Sequence, residues 1–269
     1  MNDVAVALAA ARAGAAIVSR RFGTALRHVD KGAADFATDA DLEAEHAMLA
    51  VLRRERAADA ILGEESGRSG PRDSTRTWLI DPLCGTRNYA AGVRAVAVNV
   101  ALRGGAGFLA AAVADPFTGE LFWTDGVSAF RHAGGAETRL APTARSALVE
   151  LNVDPPFPSA PAFRAVRLAA DADFAAVFAL RVVSTSLALT WVATGQRAAY
   201  VTDGDMRESV HFAAGLAICE AAGCVVTDLR GRPWREGAAG LIAAADAETH
   251  TRLLALVRKS SQAASGRRS

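Results

Sequence analysis

Cysteine is scarce in this chain. Three residues, Cys84, Cys219 and Cys224, irregularly spaced along 269 positions, cannot build a disulfide framework, which favours a reducing compartment. Long apolar runs are missing too, and no stretch approaches the length of a membrane span. The apolar N-terminus does not read as a signal peptide, because Asp3 stands where a basic residue belongs and Arg12 interrupts the run. Neither sign of charge is in excess: 30 Lys plus Arg against 29 Asp plus Glu leave a net +1, with no electrostatic footprint for nucleic acid or an anionic membrane. The one basic cluster, Arg258, Lys259, Arg267 and Arg268, lies in a Ser/Gly-rich terminus, so residues 259–269 are expected to be a disordered tail. No internal repeat is present. These absences leave a cytoplasmic protein whose partner is a small molecule.

What is present is a globular composition: 51% hydrophobic against 22% charged residues is enough to bury a substantial core. Val4, Leu8, Ala11, Ala15, Val18 and Phe22 recur at alternating spacings of four and three, which predicts an amphipathic helix. A second helix is expected from about Asp41, turning Leu42, Met48, Leu49 and Leu52 inward. Short apolar strands follow at Ala60–Leu62 and Trp78–Ile80, then a run of strands from Val96 to Trp123 with a hairpin turn at Asp115–Gly119. Past the Pro-rich stretch at Asp154–Pro161, helices and strands alternate: a helix near Phe163–Leu180, others at Leu187–Thr194 and Phe212–Ala222, and a last one ending at Val257. The expected organisation is an α+β half over 1–145 and an α/β half over 146–258, in layers of sheet and helix.

Two strands end on acids, one at Glu64-Glu65 and one at Asp81 before the Gly85-Thr86 turn. Carboxylates at strand ends suit a hard cation such as Mg²⁺, and backbone N–H groups at a turn suit a phosphate. Solvated turn residues are the bland alternative, and for Gly63-Glu64-Glu65-Ser66 alone the two are evenly matched.

The stretch Trp78-Leu79-Ile80-Asp81-Pro82-Leu83-Cys84-Gly85-Thr86-Arg87-Asn88-Tyr89 resembles the signature of inositol monophosphatases, W-[IV]-[IV]-D-P-[IL]-D-G-T-x-N-[FY]. Gly63–Ser66 resembles the GEES turn of that family, and Asp35–Asp41 its D-x-V-T-x-A-D motif. His211–Gly215 followed by Glu220–Gly223 resembles W-D-x-A-A-G and E-A-G-G. The motifs occur in the family's order and span residues 1 to about 258. The resemblance implies an αβαβα layered sandwich, a homodimer, and Mg²⁺-dependent hydrolysis of small phosphate monoesters. It implies that Glu64, Asp81 and the Leu83 carbonyl hold one metal. Thr86 and Asp41, with Glu64, would order the attacking water, while Gly85 and Thr86 offer N–H groups to phosphate.

The departures fall on the second metal, which the family pattern gives to three aspartates. Only Asp81 matches; the other two positions are Cys84 and His211, with Val210 where the tryptophan belongs. Ordinary Mg²⁺ phosphatase activity should therefore be weak or lost. Three readings of the pair stand open. The site could be dead, leaving a catalytically silent binding or regulatory protein. Asp81, Cys84 and His211 could ligate Zn²⁺ or Fe²⁺. Or, with at most one Mg²⁺, Cys84 and His211 could carry acid–base or nucleophilic chemistry on a small polar metabolite, such as cyclisation, isomerisation or elimination. This third reading is the leading expectation, beside a metal-dependent phosphomonoesterase acting on a cyclitol or sugar phosphate. The charged loop before His211, with Asp205 and Glu208, is a candidate for substrate recognition.

Overall fold

The computed structural model describes residues 1–32, 35–105, 107–153, 165–203, 206, 209–235 and 240–265. Along the chain these form α1 (Asp3–Arg21), β1 (His28–Gly32), β2 (Asp35–Thr38), α2 (Asp39–Glu55), β3 (Ala60–Gly63), β4 (Gly67–Ser69), β5 (Arg76–Cys84) and α3 (Thr86–Ala90). Next come β6 (Ala97–Gly104), β7 (Gly107–Ala114), β8 (Leu121–Thr124), β9 (Ala129–Ala133), β10 (Ala136–Arg139) and β11 (Leu148–Asn152). The last part holds α4 (Val166–Ala169), α5 (Ala172–Val177), β12 (Ala179–Val182), α6 (Leu187–Ala193), β13 (Ala199–Thr202), α7 (Val210–Ala222), β14 (Val225–Thr227), β15 (Leu241–Ala244) and α8 (Ala247–Ser265). Two compact units emerge. One comprises Met1–Arg139, Thr185–Leu187 and Val210–Ala221, the other Leu140–Ser184, Ala188–Ser209 and Ala222–Ser269.

The first unit is built on an eight-stranded sheet in the order β10-β9-β8-β7-β6-β5-β3-β4, with β1 and β2 as a separate antiparallel pair. Neighbours run antiparallel except β3 and β5, which are parallel. Helices α1 and α2 pack on each other and on β5, β6 and β7. The buried stripe of α1 is Val6, Ala7, Ala10, Ala11, Gly14 and Val18, so small residues bring the helix close to the sheet. Val4, Leu8, Ala15 and Phe22, expected inside, are only partly buried at the margin of that core. On α2, Met48, Leu49 and Leu52 are buried as expected, but Leu42 is 42% exposed. Its place is taken by acids: the inward face carries Asp41 and Glu45, both buried.

The second unit has a five-stranded mixed sheet, β12-β11-β13-β15-β14, in which β11 is parallel to both β12 and β13. Val149, Leu151, Val201, Ile242, Ala244, Leu253 and Val257 fill its core. The helix expected across Phe163–Leu180 is broken. Phe163 and Arg164 lie outside the described residues, and residues 165–180 divide into α4, α5 and the start of β12. Asp171 causes the break, because its side chain accepts the N–H groups of Asp173 and Phe174 and caps a new helix. Of the tail expected over 259–269, residues up to Ser265 continue α8, with Lys259 paired to Asp171 and Asp173, and residues 266–269 lie outside the described residues. No helix among the described residues is long and apolar enough to cross a membrane.

Candidate active site

Strand β5 carries the chemistry to the end of a buried sheet. Trp78, Leu79 and Ile80 fill the interior, and Asp81 follows them fully buried. A bulge between Asp81 and Cys84 breaks the register with β6, where Asp81 faces Asn99 and Cys84 faces Ala97. Inside the bulge the Leu83 N–H turns back to Asp81 Oδ1 at 3.0 Å. Gly85 then takes φ +105°, a left-handed conformation that a Cβ would strain, and α3 starts at Thr86. The Thr86 hydroxyl lies 3.0 Å from Asp41 Oδ1 and 3.1 Å from the Leu83 carbonyl.

Asp41 reaches the site because α2 begins there. Thr38 caps the helix, and its N–H and hydroxyl donate to Asp41 Oδ2 at 2.8 and 2.5 Å, so one acid both closes a capping box and holds Thr86. One turn on, Glu45 accepts the N–H groups of Glu65 (2.8 Å) and Ser66 (2.7 Å) and fixes the acidic turn after β3. A Cβ at Gly63 would lie 2.7 Å from Glu45 Oε1, so a larger residue there would push the Glu45 carboxylate off the turn it holds. Lys31 reaches over from β1 to Glu64 Oε1 (3.2 Å) and Glu65 Oε1 (2.6 Å). Glu64 Oε2 is buried without a hydrogen-bond partner, 3.9 Å from His211 Nδ1.

His211 stands in the first turn of α7, with Nδ1 at 2.9 Å from Asp81 Oδ2. A carboxylate oxygen of Asp81, Cys84 Sγ and a ring nitrogen of His211 all lie within 4.8 Å of one another. Ser186 donates its N–H to Cys84 Sγ at 3.3 Å and its hydroxyl to Asn99 Oδ1 at 3.0 Å, while Asn99 Nδ2 lies 3.4 Å from Asp81 Oδ2.

Burial disfavours every charge here, and the pairings decide what survives. For His211, burial opposes the proton, but the hydrogen bond and charge of Asp81 carry its pKa well above the ordinary value. For Asp81, burial is overcome by the charge and hydrogen bond of His211, which hold its pKa below the usual carboxylate value. Burial and then Asp81 push the Cys84 thiol up. Burial, reinforced by Asp81, raises Glu64, and burial likewise raises Asp41.

The structure thus brings Asp41, Glu64, Asp81, Leu83, Cys84, Gly85, Thr86 and His211 into one unit. Asp205 and Glu208 lie outside the described residues. Four contributors do not figure in the motifs: Lys31, Glu45, Asn99 and Ser186. Glu45 is findable, since it lies four residues after Asp41 on the same helical face, and Asn99 interrupts the otherwise apolar run Ala97–Leu102 of β6. Lys31 and Ser186 carry no such signal.

Two metal positions are implied by the motifs, and the residues fit them differently. Glu64, Asp81 and the Leu83 carbonyl are hard oxygen donors, and the unpartnered Glu64 Oε2 is an acceptor in want of a cation, so this set fits Mg²⁺. The other set offers one carboxylate, a thiol and an imidazole, and its nitrogen and oxygen bond each other. It does not fit Mg²⁺.

A model of the inositol monophosphatase family matches residues 1–262. The inositol-1-monophosphatase of Caulobacter vibrioides is 36% identical over 227 residues, covering 82% of this chain and 87% of that protein. ImpA, an inositol-1-monophosphatase of Mycolicibacterium smegmatis, is 31% identical over 243 residues, 86% and 83% of the two chains. Among solved structures, the suhB protein of Bartonella henselae superposes with a TM-score of 0.81 at 26% identity, over 93% of this chain and 97% of that one. These likenesses bear out the layered sandwich of helices and mixed sheets expected from the sequence.

Proposed function

The chain belongs to the inositol monophosphatase family, and from that premise we propose that it hydrolyses small phosphate monoesters with one divalent ion, His211 taking the place of a second. The observation that carries this reading is the 2.9 Å contact between His211 Nδ1 and Asp81 Oδ2. It sets a positive ring on the carboxylate that a second cation would otherwise share. Mg²⁺ held by Glu64, Asp81 and the Leu83 carbonyl would supply Lewis-acid polarisation of a phosphoryl oxygen and a more acidic water.

The chain's own residues supply the proton transfers. Thr86 bridges Asp41 and the Leu83 carbonyl, which sets a hydroxyl–carboxylate pair to accept a proton from the attacking water. On the other side, Asp81 holds Nδ1, so the proton to be delivered sits on Nε2. A third of the His211 side chain is exposed, enough to meet a leaving oxygen. As the P–O bond breaks, its electron pair stays with that oxygen, which takes the Nε2 proton; solvent then recharges the ring.

Cys84 positions rather than attacks. Burial and the Asp81 charge keep its thiol protonated, and its sulfur is occupied by the Ser186 N–H. Here Asp81, Cys84, Asn99 and Ser186 satisfy one another, which supports a working site over a silent one. A cytoplasmic homodimer acting on a cyclitol or sugar phosphate completes the reading, with light scattering as the check on the dimer.

The experiment is phosphate release from a panel of cyclitol and sugar phosphates across a Mg²⁺ titration. Wild type should turn over roughly a hundredfold or more below a two-ion relative, since the missing ion is worth several kcal/mol. His211→Ala should lower kcat by about 10²- to 10⁴-fold, and Cys84→Ala should keep a measurable fraction. Release from no ester at all, or a His211→Ala rate equal to wild type, overturns the proposal.

A further inference from the structure

We infer that Asp81, Cys84 and His211 form a binding site for a thiophilic divalent cation, Zn²⁺ before Fe²⁺, whose occupancy breaks the His211–Asp81 contact on which the proposed catalysis relies. The donors are one oxygen, one sulfur and one nitrogen with their atoms within 4.8 Å of one another. That set is poor for Mg²⁺ and good for zinc, which also outranks Fe²⁺ for such ligands. Four-coordinate zinc keeps its ligand atoms about 3.3–3.8 Å apart. The Nδ1–Oδ2 contact at 2.9 Å therefore has to open by roughly half an ångström, within reach of a small side-chain rotation.

The surroundings orient each donor. Ser186 aims its N–H at Sγ from 3.3 Å, the contact that steadies a metal-bound thiolate. Leu83 N–H occupies Asp81 Oδ1 and leaves Oδ2 for the ion. Asn99 ties the two together through the Ser186 hydroxyl and Asp81. Glu64 Oε2, 3.9 Å from Nδ1, stands beside these three donors and not among them, so they make a three-ligand set with an open fourth position. Cys219 shows the contrast: it is fully buried on α7, a helix whose residues 212–219 are otherwise apolar or glycine and buried. Binding releases the thiol and Nδ1 protons to solvent. With an ion between them, Nδ1 and Asp81 Oδ2 no longer meet, and the contact that orients the ring for phosphate release is lost. The switching half of the inference rests on the proposed catalysis; the binding half does not.

Co²⁺ is the probe. The full-length protein, stripped with chelator, should take up one Co²⁺ per chain and develop a thiolate-to-cobalt charge-transfer band with intense visible bands of tetrahedral cobalt. Zn²⁺ should bleach both at one equivalent, and excess Mg²⁺ should not. Cys84→Ser, nearly isosteric, should abolish the charge-transfer band and weaken Zn²⁺ binding by at least about a hundredfold. Absence of the band in wild type, or its displacement by Mg²⁺, overturns the site, and these two readings need no variant to fold. An unchanged affinity in Cys84→Ser overturns it as well. If cobalt binds as described but Zn²⁺ leaves phosphate release untouched, the switch is overturned. If no ester is hydrolysed, the catalytic reading fails while the spectra still judge the metal.

Discussion

Replacing Cys84 and His211 together by aspartate should make the stability of this protein depend on Mg²⁺. His211 neutralises a fully buried Asp81 from 2.9 Å. At an effective dielectric near 20, a pair at that distance attracts by about 6 kcal/mol. Solvent reaches a third of the histidine side chain, so the net value falls between the roughly 1 kcal/mol of surface pairs and the 3–5 kcal/mol lost when a buried pair is broken. His211→Asp removes this attraction and puts a like charge in its place, and Cys84→Asp adds another. With Glu64 beside them, four carboxylates then share one site. Proton uptake by one or two of them caps the penalty at about 3–5 kcal/mol, roughly 10 °C in Tm for a chain of this size. A cation that binds only the native state restores about 2.7 kcal/mol at a hundredfold excess over its Kd. The assay is thermal unfolding followed by circular dichroism, in EDTA and in Mg²⁺, with wild type alongside. The double variant should be destabilised in EDTA and largely rescued by Mg²⁺, and should gain Mg²⁺-dependent phosphate release; wild type should shift less. A double variant whose Tm ignores Mg²⁺ would refute the idea that these two side chains stand where a cation's ligands belong.

Lithium at millimolar concentration should leave phosphate release unchanged, because the position linked to its inhibition in the family lacks two carboxylates here; inhibition on that scale would mean the position still takes hard cations. Gly14→Ala should cost about 1–3 kcal/mol in urea unfolding, since its Cβ would lie 2.8 Å from Met48 Sδ and 2.9 Å from Val98 Cγ1, and an unchanged midpoint would show that α1 can lift off the sheet freely. Acid should weaken the fold partly through His250, whose pKa burial lowers. The unfolded chain then binds the extra proton first, so stability is lost as pH falls through about 6.5 and below. His250→Gln, which can keep a hydrogen bond to the Thr227 hydroxyl, should flatten that slope, and an identical slope in the variant rules His250 out as the cause.

How much of this protein is legible in its sequence depends on how local each constraint is. Strand ends such as Trp78–Asp81 are legible because their apolar run and their acid are contiguous, and the motif that contains them fixes fold and neighbours together. Amphipathic spacing finds α1 but misjudges its face, since alanine and glycine bury without registering as strongly apolar. The same blind spot places Leu42 inward: nothing local says that Asp41 and Glu45 own that face, because their partners, Thr86 and the 64–66 turn, come from other segments. The altered site is half legible for the same reason. Cys84 and His211 stand out against a motif, but a motif gives positions, not contacts. Whether a thiol and an imidazole replace two carboxylates as debris or as a paired group depends on Asn99 and Ser186, which come from β6 and from the segment before α6. Asn99 is opposite Asp81 because β5 and β6 keep one antiparallel register from Arg76 to Asp81, and only beyond Asp81 does the bulge shift it. Ser186 reaches Cys84 across 102 residues of sequence. Long-range hydrogen bonds of this kind are what turn two isolated substitutions into one coordinated change, and they exist only in the folded chain.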